Sequence, residues 1–281
     1  MTPVAPTLRA AAAQIDCALG DLERNLATHE RVLREAAGAG VELLLFPELS
    51  LTGYSLGPRV LEVALPADAP ELAALSALAP QVTVAVGFVE QASPGELYNS
   101  VALLRGGRVL QVHRKLNLPT YGGLEEGKWF GRGRAVEPCR IQGGWSCATL
   151  ICADLWNPAL VHAAALGRPE ILLAPIHSAE GAVSEEFSNP EGWALALAFY
   201  AMIYATPVVM ANRCGQEAGR RFWGGSRILD PRGRPLAQAG EGEALIWADL
   251  DRAAIARARF ELPTVRDADT PLVLDLLARR R

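Results

Sequence analysis

The sequence predicts an α/β fold, and three features carry that prediction. Near the start, the apolar run Leu8–Ile15 is followed by a helical pattern and then by the short run Glu42–Phe46, the strand–helix–strand order of α/β packing. Further on, Leu97–Leu104 and Arg108–His113 flank Gly106–Gly107 as the two arms of a hairpin. From Gly225 the pattern turns antiparallel: SRILD, the turn PRGR, PLAQAG, then ALIWADL. Strands with helices between them, some joined by hairpins, make a mixed sheet covered by helices on one face. Two such units packed face to face give a four-layer α-β-β-α sandwich; periodicity alone leaves a doubly wound single sheet open as well.

The elements follow in order. Asp21 can cap a helix whose apolar face is Leu22, Leu26, His29, Leu33 and Ala36, ended by Gly38 and Gly40. The strand ELLLF stops at Pro47. A helix over Pro70–Leu78 precedes the strand Val82–Val89 and the hairpin. Ser146–Ile151 reads as a strand that ends at a cysteine. Helix Ala159–Leu166, strand Ile171–Ala174, helix Gly192–Tyr204 and strand Val208–Ala211 continue the alternation. A last helix, Ala253–Arg259, leads into a leucine-rich tail. With no repeat, low-complexity stretch or linker, the chain reads as one domain over residues 1–261 and a C-terminal tail over 262–281.

Composition narrows the function. Half of the 281 residues are hydrophobic and 21% are charged, as in an ordinary globular protein. A net charge of −4 gives no general attraction to nucleic acid or to an anionic membrane. The short basic clusters Arg132–Arg134 and Arg279–Arg281 read as solvated surface. No window approaches the roughly 18 apolar residues of a membrane span, and MTPVAPTLRAAAAQIDCALG lacks the pattern of a secretory leader. The cysteines Cys17, Cys139, Cys147, Cys152 and Cys214 show no C-x-x-C spacing, so the expectation is no metal site and a reduced, cytoplasmic chain.

Three reactive side chains stand where apolar strands stop. Glu48, in LLLFPELSLTGY, is a carboxylate at the end of a buried strand; partial desolvation suits it to general-base work, with a solvated loop glutamate as the competing reading. Lys115, in VLQVHRKLNLPTYGG, shares an alternating face with Val109, Gln111 and His113, while Leu110, Val112 and Arg114 take the other. One of the two basic residues therefore faces inward or projects from the strand's end, where a lysine can stabilise an oxyanion. A surface lysine on an edge strand competes with that reading. Cys152, in SCATLICADLWNP, enters a turn with the Ala153 N–H nearby, the arrangement a nucleophile needs; isolated cysteines are otherwise mostly small buried hydrophobes. A cysteine–histidine pair would need His29, His113, His162 or His177, and of these only His177 lies on a strand-end loop, without an evident acid.

Together these segments resemble the nitrilase superfamily over nearly the whole chain. FPELSLTGY, YNSVALLRGGRVLQVHRKLNLPTYG, LICADLWNP, VVMANRCG and FWGGSRILDPRG occur in the family's order. The resemblance implies the four-layer sandwich, the catalytic set Glu48, Lys115 and Cys152, and an oxyanion donor in the Ala153 backbone. It nominates a second carboxylate in LPTYGGLEEGKWF, Glu126, with Glu125 one register step away. Ala153–Asp154 after the nucleophile departs from the tryptophan–glutamate of true nitrilases. It looks closer to the glutaminase domain of NAD synthetases and to stand-alone amidases, and with no synthetase segment in these 281 residues a stand-alone amidase is the expectation.

The implied activity is hydrolysis of the C–N bond of a small amide through a cysteine thioester, with no cofactor and no metal. Hydrolysis of an N-carbamoyl amine by the same groups is the first rival, and a non-catalytic binding protein on this fold is the second. Tyr54, Tyr121, Trp156, His177 and Ser178 lie on loops beside the catalytic positions and are the candidate substrate contacts. Glu180, Glu185 and Glu186 suggest an amine-bearing substrate, with a plain solvated loop as the competing reading. The tail holds Leu272, Val273, Leu274, Leu276 and Leu277, too apolar for a free end, so a homodimer or higher homo-oligomer is expected with 262–281 at or near the interface.

Overall fold

The computed structural model describes residues 5–280. Met1–Val4, the head of the segment read for a leader, and Arg281, the last of a basic cluster, lie outside the described residues. The first half runs β1 (Thr7–Gln14), α1 (Leu22–Gly38), β2 (Leu43–Leu45), α2 (Pro70–Ala77), β3 (Thr83–Ser93), β4 (Glu96–Arg105), β5 (Arg108–Arg114) and the single turn α3 (Glu126–Trp129). The second continues with β6 (Cys139–Arg140), β7 (Ser146–Thr149), α4 (Pro158–Leu166), β8 (Ile171–Ile176), α5 (Asn189–Ile203) and β9 (Val208–Asn212). Then come the hairpin β10 (Cys214–Glu217) and β11 (Arg220–Trp223), followed by β12 (Arg227–Leu229) and β13 (Pro235–Gln238). β14 (Ala244–Asp251), α6 (Arg252–Glu261) and α7 (Thr270–Ala278) close the chain.

Two six-stranded sheets result, ordered β14-β1-β2-β3-β4-β5 and β13-β12-β9-β8-β7-β6. In each, three parallel strands (β1, β2, β3 and β7, β8, β9) are extended by two antiparallel strands on one side and by one, β14 or β6, on the other. The halves thus repeat a topology that their sequences do not repeat. Residue size explains the packing. In β1, Ala10 and Ala12 face the second sheet, packed with Ile171, Leu173 and Val209. Ala11 and Ala13 face the helical layer with Val32, Leu33 and Leu72. On the far side Trp193, Leu197 and Val161 cover Leu172, Ala174 and Met210. Three apolar interfaces between four layers make the α-β-β-α sandwich and exclude the single doubly wound sheet.

Most elements lie where periodicity places them, and the differences have local causes. α1 is capped as expected, the Asp21 side chain accepting from the Arg24 N–H at 3.1 Å. α5 starts three residues before Gly192, because Ser188 caps it and Pro190 fits its first turn. β14, which the sequence groups with the C-terminal antiparallel strands, crosses to the other sheet and pairs with β1. Gln14 guides that crossing: its Nε2 donates to the Gly240 and Gly242 carbonyls at 2.7 and 2.5 Å, and its Oε1 accepts from the Ser226 N–H. The tail contains a helix, α7, that the sequence reading did not anticipate.

β3 passes directly beneath the turn that carries Glu48. The Gly87 carbonyl accepts from the Leu51 N–H at 3.0 Å, and a Cβ on Gly87 would meet Leu49 N and the Pro47 carbonyl oxygen at 2.4 Å. Both neighbours are backbone, so no rotamer change relieves the clash. Gly87→Ala is expected to cost about 1–3 kcal/mol in urea denaturation. It should also lower kcat more than about tenfold, because the turn that moves is the one bearing Glu48. Unchanged turnover in a stably folded variant would contradict this.

Candidate active site

Glu48 leaves the end of β2 fully buried. Pro47 ends the strand, Leu49 adopts a left-handed backbone (φ +48°), and His29 fixes the turn from below. The His29 Nδ1–H donates to the Asn25 carbonyl at 2.7 Å, leaving Nε2 to accept from Ser50 Oγ at 2.9 Å. Burial pushes this imidazole down to about 4, so it stays neutral, the core residue its helical position suggests. Glu48 Oε1 accepts from Asn99 Nδ2 at 2.7 Å and from Lys115 Nζ at 2.5 Å; its Oε2 is buried without a partner.

Lys115 follows the last residue of β5 and points inward, while Arg114 turns out to Glu90 at 2.6 Å. The Lys115 ammonium bridges Glu48 Oε1 and Glu126 Oε1, at 2.5 and 2.6 Å. It has three N–H groups, so one remains for another acceptor. Burial opposes its charge, but the two carboxylates outweigh burial and hold its pKa well above the usual lysine value. The register question at 125–126 has a clear answer in space. Glu126 is buried, whereas Glu125 is exposed, 3.8 Å from Lys128. Glu126 Oε1 also accepts from the Tyr54 hydroxyl at 2.6 Å, and its Oε2 is buried without a partner. Burial, with the nearby Glu48 charge, raises the Glu126 carboxyl to about 7 against the pull of Lys115.

Cys152 follows β7 on a tight turn with a left-handed backbone, φ +44°, a conformation that costs a non-glycine residue about 1–3 kcal/mol. Asp154 holds the turn. Its Oδ1 accepts from the Leu116 and Asn117 N–H groups at 2.9 and 2.6 Å, and its Oδ2 from the Ile151 N–H at 2.9 Å. Asn117 Nδ2 donates to the Ala153 carbonyl at 2.8 Å. The segment after Lys115 is thereby tied to the segment around Cys152. Burial and the Glu48 charge push the Cys152 thiol well above its ordinary value, more than Lys115 and the His177 backbone N–H lower it. The balance therefore favours the thiol over the thiolate.

The remaining predicted contacts, Tyr54, Tyr121, Trp156, His177 and Ser178, line one cleft with Cys152, Ala153 and Glu126. It encloses about 370 Å³, its open mouth included. His177 has a partner acid that the sequence reading lacked, Glu217, with Nε2 3.5 Å from Oε1; its Nδ1–H donates to the Glu48 carbonyl at 3.2 Å. Both ring nitrogens are thus directed at other groups, and the histidine meets the cysteine through its backbone. Burial raises the Glu217 carboxyl, but His177, Arg213 and the Ser55 N–H together hold it down at about 2. The expectation from Glu180, Glu185 and Glu186 is corrected: all three are exposed, none lines the cleft, and Glu180 pairs with Arg221 at 3.2 Å.

Asn99, Arg213 and Glu217 were not singled out in the sequence, and Asp154 stood out only as part of the pair after the nucleophile. Alternation in β4 puts Asn99 on the face of Val101 and Leu103, and the polar NRCGQE directly after the apolar VVMA was the available signal for Arg213 and Glu217. Among the described residues no group of histidine, cysteine or carboxylate side chains is arranged to hold a metal ion, and no helix is long and apolar enough to cross a membrane.

Residues 9–260 match the carbon–nitrogen hydrolase family. The chain is 32% identical over 263 residues to a protein of Pseudomonas protegens named as a hydrolase in the pqqF 5′ region, covering 92% of this chain and 88% of that one. It is 30% identical over 254 residues to the glutamine-dependent NAD(+) synthetase of Thermotoga maritima, covering 87% of this chain but only 42% of the synthetase. A variant of the amidase from Nesterenkonia sp. AN1, 25% identical, superposes with a TM-score of 0.80 over 98% of both chains. That structure shows the acetamide moiety of fluoroacetamide added covalently at its active-site cysteine.

The raised Glu126 carboxyl makes stability depend on pH in a defined direction. Between about pH 4.5 and 7 the folded chain keeps a proton that the unfolded chain releases. This contribution is full below about 4.5 and is lost as pH rises through about 7. Glu126→Gln removes the titration and keeps the shape. From pH 5 to pH 8 the wild type should therefore lose roughly 2 kcal/mol more than the variant in chemical denaturation. Parallel pH profiles would show that Glu126 does not titrate in this range.

Proposed function

The chain belongs to the carbon–nitrogen hydrolase family, and we propose that it cleaves a small carboxylic amide through a thioester on Cys152. The enzyme is a carbon–nitrogen hydrolase of the amidase kind; the substrate and the residue roles are the proposal. One observation supports them above the rest, the buried Glu48–Lys115–Glu126 array beside a cleft into which Cys152 opens.

Because the resting sulfur carries its proton, the base acts during attack. Glu48 Oε2 takes the Cys152 proton as the sulfur bonds to the amide carbon. The carbonyl oxygen becomes an oxyanion, met by the third N–H of Lys115 and by the Ala153 N–H. Glu48 returns the proton to the leaving nitrogen, the C–N bond breaks, and ammonia or an amine departs. Water then gives a proton to Glu48 and attacks the thioester; the acid leaves and the proton returns to sulfur. Glu126 and Tyr54 keep Lys115 in place throughout.

Cys152→Ala should abolish ammonia release from a panel of amides, carbamoyl amines and nitriles while leaving the melting curve in place. Cys152→Ser should be nearly as inactive, since a hydroxyl is a far weaker acid than a thiol. Iodoacetamide should modify Cys152 first, the one cysteine of five that is not buried. Turnover surviving in Cys152→Ala, or uniform labelling, refutes the assignment; the panel separates the amidase reading from the carbamoyl one.

The proposed partner is a second copy of this chain. The proximal tail folds back on its own subunit, where the Thr264 hydroxyl donates to the Ile203 carbonyl. Beyond it, α7 exposes Leu272, Val273, Leu274, Leu276 and Leu277, and α5 presents Leu195, Phe199 and Met202 to solvent at helical spacing. An apolar face of this kind suits an isologous contact. Sedimentation equilibrium at micromolar concentration should give a dimer or larger, weakened by removal of residues 270–281. A 30.0 kDa species, unchanged by the truncation, would exclude it.

A further inference from the structure

Arg220 lies at the start of β11, just after the tight turn at Ala218 and Gly219, both with positive φ. Alternation along β11 sends Arg220 and Phe222 to one side and Arg221 to the other. The arginines around it are committed. Arg213 is paired with Glu217 and Asp16, and Arg221 with Glu180 and Glu241. Arg220, half-buried, has no carboxylate partner among the described residues. Its guanidinium rests on the loop that leads to Glu126, so close that a Cβ on Gly123 would meet Nη2 at 2.0 Å.

Its position relative to the cleft gives this unpaired cation a use. Arg220, Phe222, Tyr54 and His177 line a chamber of about 330 Å³ that shares Tyr54, Leu124, His177 and Ala182 with the Cys152 cleft. The four shared residues place the chamber directly beside the Cys152 cleft. Among the described residues Arg220 is the only arginine, lysine or carboxylate lining it; Glu217 beneath is held by Arg213 and by the Tyr54 and Ser55 N–H groups.

We infer that the substrate is an amide bearing a carboxylate at its far end, and that Arg220 binds that carboxylate. The inference rests on the amidase reading above. A half-desolvated guanidinium without a counter-ion is costly to maintain, and a planar carboxylate repays it with two parallel N–H···O bonds. An amine-bearing substrate would instead meet a like charge. Arg220 sets specificity and takes no part in bond breaking.

Ammonia release from succinamate and glutaramate, compared with butyramide and valeramide, tests this directly. The acid-bearing amides should be preferred, and Arg220→Gln should lower their kcat/KM by about 10- to 100-fold, mainly through KM. The uncharged amides should change by no more than about twofold, and Arg220→Lys should restore part of the loss because it keeps charge without the fork. Equal rates for both series, or equal losses in both, overturn the assignment. If neither series is turned over, the amidase reading fails. Calorimetric binding of glutaramate to Cys152→Ala, and its loss in Cys152→Ala/Arg220→Gln, then decides the role of the arginine alone.

Discussion

An ammonium group with no exposed surface has to be met by negative charge at contact distance, and Lys115 imposes that condition on three separate parts of the chain. Glu48 comes from the end of β2, Glu126 from the single turn of α3, and the lysine from the end of β5. None can be buried alone. Breaking such a pair by removing one partner typically costs about 3–5 kcal/mol, because the other charge stays behind unpaired. The array also holds two carboxylates for one cation. That excess of negative charge adds to burial in raising the Glu126 carboxyl and in keeping the Cys152 sulfur protonated. The proposed chemistry follows from the charge balance: a substrate carbonyl that becomes an oxyanion needs a donor, and Lys115 keeps one N–H free of its two carboxylates.

The proposed nucleophile, Cys152, is held by different means. Asp154 gathers three backbone N–H groups from two segments, so the turn that bears Cys152 and the loop that follows Lys115 move as one piece. The left-handed backbones at Leu49 and Cys152 place both reacting side chains at the ends of short strands. The surrounding hydrogen bonds offset the local strain. His177 completes the wall, stacked on Tyr54 at 5.1 Å and edge-on to Phe222 at 4.6 Å. Its aromatic contacts and its ties to Glu48 and Glu217 make it a spacer between the cleft and the outer chamber.

How much of this was legible in the sequence depended on the range of the interaction. Strands and helices are local, and the periodicity of apolar residues located most of them; the cap at Asp21 and the turn at Gly106–Gly107 are local too. Glu48, Lys115 and Cys152 stood out because each ends an apolar strand. The face on which β5 would present Lys115 rather than Arg114 was open in the pattern and is resolved by Glu90, which takes the arginine. Glu126 and Glu125 could not be separated by adjacency, only by which one reaches the lysine. For Glu217 the only local signal was the polar run that follows VVMA; Asn99 acts through Glu48, 51 residues away, and nothing nearby marked it. β14 was misgrouped for the same reason: its place is fixed by Gln14, at the opposite end of the chain.

The repeated sheet topology divides the reacting groups unevenly. The half that ends with α3 supplies the proposed base, the ammonium and the second carboxylate; the half that begins with β6 supplies the sulfur and its proposed backbone donor. Neither sheet with its helices holds a complete set. Turnover is therefore a sensor of how well the two sheets are seated on each other. A slip of about one ångström across the alanine-rich face of β1 would leave circular dichroism unaltered and cost the proposed reaction about a hundredfold in rate.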